Sequence, residues 1–218
     1  MARAKNKLVM PFLKWVGGKR QLMNDIEPLI PSKISTYYEP FIGGGAVLLN
    51  QQPKKAVVND YNAELINVYK MVRDHVEELI EDLATHENES EYFYRIRVQD
   101  REEGFENLSA LKRASRVIYL NKTCFNGLYR VNSSGEFNTP FGRYKSPNIV
   151  NEPVLRAVSK YLQNNDIDLL SGDFEDALKG ARQGAFVYLD PPYDPISKSS
   201  NFTGYVEGGF GSDQQERL

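Results

Sequence analysis

The stretch Phe186-Val-Tyr-Leu-Asp-Pro-Pro-Tyr-Asp-Pro195 decides how the rest of this chain is read. Phe186 to Leu189 have the composition of a buried strand. The run then meets a carboxylate, two prolines and an aromatic ring. Proline has no N–H, so strand pairing stops at Pro191 and Pro192. The carbonyls at this strand end therefore point at something other than a neighbouring strand. Asp190 and Tyr193 sit with them on one rigid turn.

Three other strands can be read upstream. Ser35 to Phe41 (STYYEPF) is short and aromatic and enters a glycine turn, Gly43-Gly44-Gly45. Lys55 to Asp60 (KAVVND) is β-branched and ends in an acid, and Ile167 to Asp173 (IDLLSGD) is a third strand. A helix starts at Ala46. Apolar residues at Leu65, Ile66, Val68, Tyr69, Val72, Val76, Leu79 and Ile80 predict another over Asn62 to Asp82. Strands separated by helices imply a parallel, doubly wound sheet.

The stretch between the second and third strands is longer than a connection needs, which predicts an inserted subdomain of roughly 60 to 90 residues. Its centre, Asn121 to Lys145, reads NKTCFNGLYRVNSSGEFNTPFGRYK. The Ser133-Ser-Gly135 turn between two arms predicts a β-hairpin or long loop. The formal net charge is only −2. From residue 112 to 145, however, seven basic residues (Lys112, Arg113, Arg116, Lys122, Arg130, Arg143 and Lys145) face one acid, Glu136. Such a local patch can meet phosphates whatever the net charge, and on charge alone it reads equally as a solvated basic face. A single cysteine, Cys124, excludes an internal disulfide framework. Two histidines and one cysteine supply no zinc-ligand spacing, and His75 and His86 read as solvated surface. No apolar run reaches membrane-spanning length, and a cytoplasmic location is the default expectation.

A sheet that reverses its winding leaves a crevice at the carboxyl ends of its strands. EPFIGGG, VVND and LDPPY all fall there. The glycines allow close backbone approach, and Asp60 is placed to accept hydrogen bonds from ribose hydroxyls. Together they suit an adenosine-containing cofactor. The dinucleotide fingerprint G-x-G-x-x-G is broken by Leu48, which disfavours a nucleotide-dependent oxidoreductase. FLKWVGGKRQLM is a second glycine turn, with Trp15 and Lys19 on it, and resembles a phosphate loop only loosely.

FLKWVGGKR, EPFIGGGAVLLN, VVNDYNAELI, NGLYRVNSSGEFNTPFGRYK and YLDPPY stand here in one order. In that order they resemble the Dam-like DNA adenine N6-methyltransferases, the D12 class or α-group, whose close members modify GATC. The resemblance covers nearly the whole chain. It implies an α/β, Rossmann-like S-adenosylmethionine-dependent methyltransferase sheet of strand order 3-2-1-4. It also implies an inserted helical and hairpin DNA-recognition subdomain at 71–149, between catalytic segments 1–70 and 150–218. Trp15, Lys19, Glu39, Phe41, Gly43, Gly45, Asp60 and Asp190 would form the S-adenosyl-L-methionine site. Asp190, Pro191 and Tyr193 would act on the target base, flipped out of duplex DNA. Phe125 would wedge the stack, Arg130 would read guanine, and Asn126, Leu128 and Pro140 would touch neighbouring bases. Lys122, Arg143 and Lys145 would meet phosphates. No metal is required, and a restriction endonuclease is a possible functional counterpart.

Family members extend some tens of residues beyond the GSDQQERL with which this sequence stops. The expectation is a C-terminally truncated sheet whose fourth strand is an edge, poorly stable alone. Ser212-x-x-Gln215 reads as a capping box opening a helix. Two other readings differ in kind: a non-catalytic DNA-binding remnant, and a methyltransferase of cytosine N4 or RNA.

Overall fold

The parallel pattern of the sequence is realised in a computed structural model that describes residues 5–15, 17–192 and 210–218. The elements run α1 (Met23–Ile26), β1 (Tyr37–Glu39), α2 (Ala46–Gln51), β2 (Lys55–Asp60), α3 (Ala63–Asp74), α4 (Val76–Leu83), α5 (Ser90–Val98), α6 (Ala110–Thr123), α7 (Glu152–Gln163), β3 (Asp166–Ser171), α8 (Phe174–Leu178), β4 (Phe186–Val187) and α9 (Ser212–Arg217). The four strands form one parallel sheet, β3-β2-β1-β4. This is the expected order 3-2-1-4. Both middle strands are covered: all of β1 is buried. In the outer β3, Ile167 and Leu169 are buried while Leu170 is exposed, the alternation of a strand with one covered face.

Two strands are shorter than the sequence suggests. β1 pairs over three residues and β4 over two. Tyr188 N–H still donates to the Tyr38 carbonyl at 2.8 Å, and the turn that follows supplies no donors at Pro191 and Pro192. The single helix expected over 62–82 is two. His75 (φ −138°, ψ 43°) ends α3 and starts α4. The break re-aims Leu79, Ile80 and Leu83 into the core. No glycine or proline marks it, so tertiary packing decides it. At α9 the cap is displaced by one residue: Gly211 is the N-cap, and its N–H donates to Gln214 Oε1 at 3.0 Å.

The expected insertion does not stand apart from the sheet. α3, which follows β2, packs against both α6 and α7, and one buried cluster runs from Tyr37 and Val58 through Leu65 and Tyr69 to Tyr119 and Phe137. The turn at 132–135 is present. Asn132 Oδ1 accepts from Ser134 N and Glu136 N at 3.0 and 2.9 Å, and an antiparallel bridge pairs Val131 with Phe137. Three of the seven basic residues answer acids of other helices. Lys112 pairs with Asp82, Arg113 with Glu64 at 3.2 Å, and buried Arg116 with Asp100 at 2.9 Å.

His86 is not solvated surface. Its side chain is 8% exposed, and its ring stacks on Tyr119 at 4.4 Å. Its nitrogens meet Tyr92 Oη at 2.8 Å and Ser115 Oγ at 3.0 Å. Burial, with Lys112 nearby, pushes its pKa down to about 4 against the pull of Asp82. His75 remains half exposed.

The insertion is pinned to the N-terminal loop by one amide. Asn121, fully buried on α6, accepts from Lys14 N at 2.9 Å and donates to the carbonyls of Lys14 at 2.7 Å and Gly127 at 3.1 Å. A side chain at residue 127 would collide with Lys14, since its Cβ would fall 2.3 Å from Lys14 Cδ, and φ there is +64°.

Two outcomes follow from this packing. Unfolded His86 titrates near 6.5 and folded His86 near 4, so between those values the unfolded chain binds the extra proton. Stability therefore falls as pH drops from 6.5 toward 4, by at most about 1.4 kcal/mol per pH unit from this group. Urea unfolding at stepped pH reads this slope, and His86→Gln reduces it. Asn121→Asp keeps the acceptor but removes a donor from two buried carbonyls. It should cost about 2 kcal/mol or more, seen as a thermal midpoint lower by roughly 5 °C.

Candidate active site

The carboxyl ends of the strands open into a cavity of about 900 Å³. Two adjacent residues of β2 organise its floor. Asp60 Oδ2 accepts from Gly43 N at 3.0 Å, and Oδ1 accepts from Asn62 N at 3.0 Å. Asn59 Nδ2 donates to the carbonyls of Pro40 at 3.1 Å and Gly172 at 2.9 Å. The ends of β1, β2 and β3 are thus tied together. Burial pushes the Asp60 carboxyl up to about 6.

Glu39, the last residue of β1, is 2% exposed and on the cavity wall. Its Oε2 accepts from Tyr37 Oη at 2.7 Å and Leu48 N at 3.1 Å. Burial pushes it up to about 8; those two bonds pull it down, and the charges of Asp190 and Asp60 add to the rise. Also on the wall, Lys19 Nζ lies 2.8 Å from Asp190 Oδ1 and donates to the Gly17 carbonyl at 3.0 Å. Asp190, Pro191 and Pro192 line the cavity where β4 has ended. Tyr193 lies outside the described residues.

Trp15 packs directly on the glycine turn. A Cβ on Gly43 (φ +47°) would be 2.7 Å from Trp15 Cδ1. The indole stacks on Tyr129 at 5.1 Å with planes 20° apart. Phe41 lines the cavity and meets Phe174 and Phe210 at 5.5 and 5.6 Å. Gly45 is not on the wall; it backs onto Tyr69, 2.6 Å from the hydroxyl oxygen to a notional Cβ. Tyr69 Oη in turn donates to the Gly43 carbonyl at 3.0 Å. Gly45 therefore shapes the turn from behind.

The expected DNA-reading residues divide into two groups. Lys122 and Asn126 are on the cavity wall. Burial, aided by Lys14, pushes the Lys122 ammonium down to about 8. Asn126 holds φ +56°, a left-handed conformation that costs a non-glycine residue energy and is retained where surroundings enforce it. Next to it Phe125 is 54% exposed. Outside the cavity, Arg130, Pro140, Arg143 and Lys145 are exposed and Leu128 is partly buried. Arg130 Nε donates to Asn138 Oδ1 at 2.7 Å, and the Pro140 carbonyl accepts from Phe125 N at 2.8 Å.

Several wall residues were not foreseen: Lys14, Tyr61, Asn151, Tyr188, Phe210 and Gln214. Tyr61 directly follows Asp60 and is 61% exposed at the cavity. An exposed aromatic beside a strand-end acid is the signal that could have found it. Asn121 had no such signal, because its role lies in contacts 107 residues away along the chain.

The donor set fits an adenosyl cofactor. A carboxylate at the end of β2 suits hydroxyls, glycine turns bring backbone close, and aromatic and apolar walls suit a base. Among the described residues, no group of His, Cys, Asp and Glu could hold a metal ion. No helix among them is long and apolar enough to cross a membrane.

Comparison with known proteins agrees. A family model for D12 class N6 adenine-specific DNA methyltransferases matches residues 15–218. The type II methyltransferase M1.LlaDCHI of Lactococcus lactis subsp. cremoris is 50% identical over 217 residues, spanning 98% of this chain and 76% of the relative. The type II methyltransferase M.MjaIII of Methanocaldococcus jannaschii is 43% identical, spanning 96% and 78%. The DNA adenine methylase of Escherichia coli K12 is 37% identical, spanning 95% and 73%. With a strand-end acid, two glycine turns and an Asp-Pro-Pro turn meeting in one cavity, and with relatives this similar along its length, the chain belongs to the D12 class of N6 adenine-specific DNA methyltransferases.

Proposed function

We propose that this enzyme binds S-adenosyl-L-methionine in the strand-end cavity and methylates adenine N6 in duplex DNA, at GATC, by base flipping and direct in-line transfer. The observation that carries the reading is the opening of the Asp60–Gly43 pair and the Asp190-Pro-Pro turn into one cavity. Trp15, Lys19, Glu39, Phe41, Gly43, Asp60 and Asp190 hold the cofactor, with Gly45 shaping the turn behind them. When bound, the cofactor supplies an activated methyl group on a sulfonium.

The protein's task is to make a poor nucleophile competent. The adenine amino nitrogen shares its lone pair with the ring. Hydrogen bonds from its two protons to the Asp190 carboxylate and the Pro191 carbonyl favour a pyramidal nitrogen with its lone pair exposed. The turn holds these acceptors in place before the base arrives, which is preorganisation. Tyr193 stacks on the base. Asp190 need not be a strong base, because the amino proton becomes acidic only as the new bond forms.

A paired base cannot reach this turn, and flipping it costs a few kcal/mol. We assign residues 71–149 to that work, between catalytic segments 1–70 and 150–218. Phe125, exposed beside the strained Asn126, is suited to fill the vacated stack. With its Nε on Asn138, Arg130 offers its Nη edge to guanine O6 and N7, while Leu128 and Pro140 flank it. Lys122, Arg143 and Lys145 meet phosphates. A restriction endonuclease of the same specificity is the functional counterpart to seek, since two of the relatives carry the name type II methyltransferase.

Nucleoside mass spectrometry after incubation with labelled cofactor should find N6-methyladenine in GATC duplexes and little in duplexes with a changed guanine. Methylation equal on both would refute GATC specificity. Asp190→Ala should lower single-turnover transfer by at least 10³-fold, about 4 kcal/mol of barrier, with a cooperative melt retained. Arg130→Ala should lower kcat/KM on GATC while sparing guanine-altered sites, a loss of about 1–3 kcal/mol in discrimination. A uniform loss with a shallower salt slope would reassign Arg130 to phosphate.

A further inference from the structure

The Asp-Pro-Pro turn has a second support besides Lys19. The segment 210–218 contributes Phe210 and Gln214 to the cavity wall and bonds to residues that follow both edge strands, β3 and β4. On the β3 side, Arg217 donates from Nη2 to Asp173 Oδ1 and from Nε to Glu175 Oε1, both at 2.8 Å, with its guanidinium 5.0 Å over Phe174. Phe210, 9% exposed, packs against both Phe41 and Phe174, which also touch each other. On the β4 side, Gln215 Nε2 donates to the Pro192 carbonyl at 2.9 Å.

Asp190 and Pro191 each precede a proline, which restricts their backbone, so that last bond acts on the least restricted torsion of the turn, ψ of Pro192. Proline fixes φ near −65° but leaves ψ able to rotate. Neither proline has an N–H, so the turn cannot be tied down through donors of its own. A bond to the Pro192 carbonyl sets the peptide plane after the second proline. Lys19 holds Asp190 at the other end. We propose that Gln215 is a positioning residue for methyl transfer: by holding the Pro192 carbonyl it keeps Asp190 and the Pro191 carbonyl aimed at the target amine. This rests on the reading of the turn as the amine-binding element.

Glutamine suits the task because its amide donates at every pH. Glutamate in its place donates only when protonated; ionised, it sets a negative charge against the carbonyl. The effect of Gln215→Glu therefore depends on pH, whereas loss of packing alone does not.

The test compares wild type, Gln215→Ala, Gln215→Glu and Asp190→Ala in single-turnover methyl transfer at saturating cofactor and GATC duplex, with S-adenosylhomocysteine affinity and thermal midpoint measured alongside. Gln215→Ala should lower the rate constant about tenfold, the size expected from one hydrogen bond. Its S-adenosylhomocysteine Kd should stay within threefold. The rate of Gln215→Glu relative to wild type should climb as pH falls from 7 to 4.5, toward the range near 4.3 where a glutamate carboxyl takes up its proton. A Gln215→Ala rate within twofold of wild type, or a flat Gln215→Glu ratio, overturns the inference. If Asp190→Ala is inactive while Gln215→Ala is normal, the turn stands as the amine site and the role of Gln215 alone is lost. If Asp190→Ala transfers at the wild-type rate, both fall.

Discussion

The bond from Gly43 N–H to Asp60 Oδ2 is the constraint on which the cavity depends. It ties a left-handed glycine turn to the end of the neighbouring strand. With the turn fixed, Trp15 has a surface to lie on, and the indole in turn meets Tyr129 of the loop after α6. Asn59, one residue earlier on β2, joins β1 and β3 through Pro40 and Gly172. Adjacent strand residues point to opposite sides. One β2 terminus can therefore brace the sheet with one side chain and shape the ligand wall with the next.

Charge in the cavity is sorted by origin. The carboxylates Glu39, Asp60 and Asp190 all come from the strand ends, whereas Lys14, Lys19 and Lys122 come from the N-terminal loop and from α6. Three anions so close would repel. Burial and mutual repulsion push Glu39 up to about 8, so it is largely protonated at neutral pH, and Lys19 answers Asp190. Asp60, up to about 6, stays mostly ionised at neutral pH, where two backbone N–H groups hold it. The cavity thus offers graded rather than uniform negative charge.

The strands and the glycine turns were legible because each is local: β-branched runs, Gly43 to Gly45, and a proline pair that can only end a strand. The alternation of strands and helices pointed to a parallel, doubly wound sheet, and the strand order followed from the family resemblance. What escaped the sequence depends on distant partners. His86 reads as polar surface until Tyr92, Ser115 and Tyr119 close around it. The break at His75 has no glycine or proline to announce it. Gly45 belongs to the same triplet as Gly43 and shares its left-handed backbone but faces Tyr69 instead of the cavity, a distinction set by α3 packed behind the turn.

The basic patch illustrates why counting charges overstates a nucleic-acid surface. Lys112, Arg113 and Arg116 lie on α6, whose apolar residues face the core. There the arginines and the lysine meet Asp82, Glu64 and Asp100 from three other helices. Arg116 also donates to the carbonyls of Ile96 and Arg97, so it serves as a cross-brace between α5 and α6. Of the remaining four basic residues, Lys122 lies at the end of α6, Arg130 on the arm before the turn at Asn132, and Arg143 and Lys145 on the loop that follows. Internal pairing thus takes up the three cations nearer the start of α6, whereas Arg130, Arg143 and Lys145 stay exposed and Lys122 lies on the cavity wall. These four are the cations that the motif resemblance assigned to DNA.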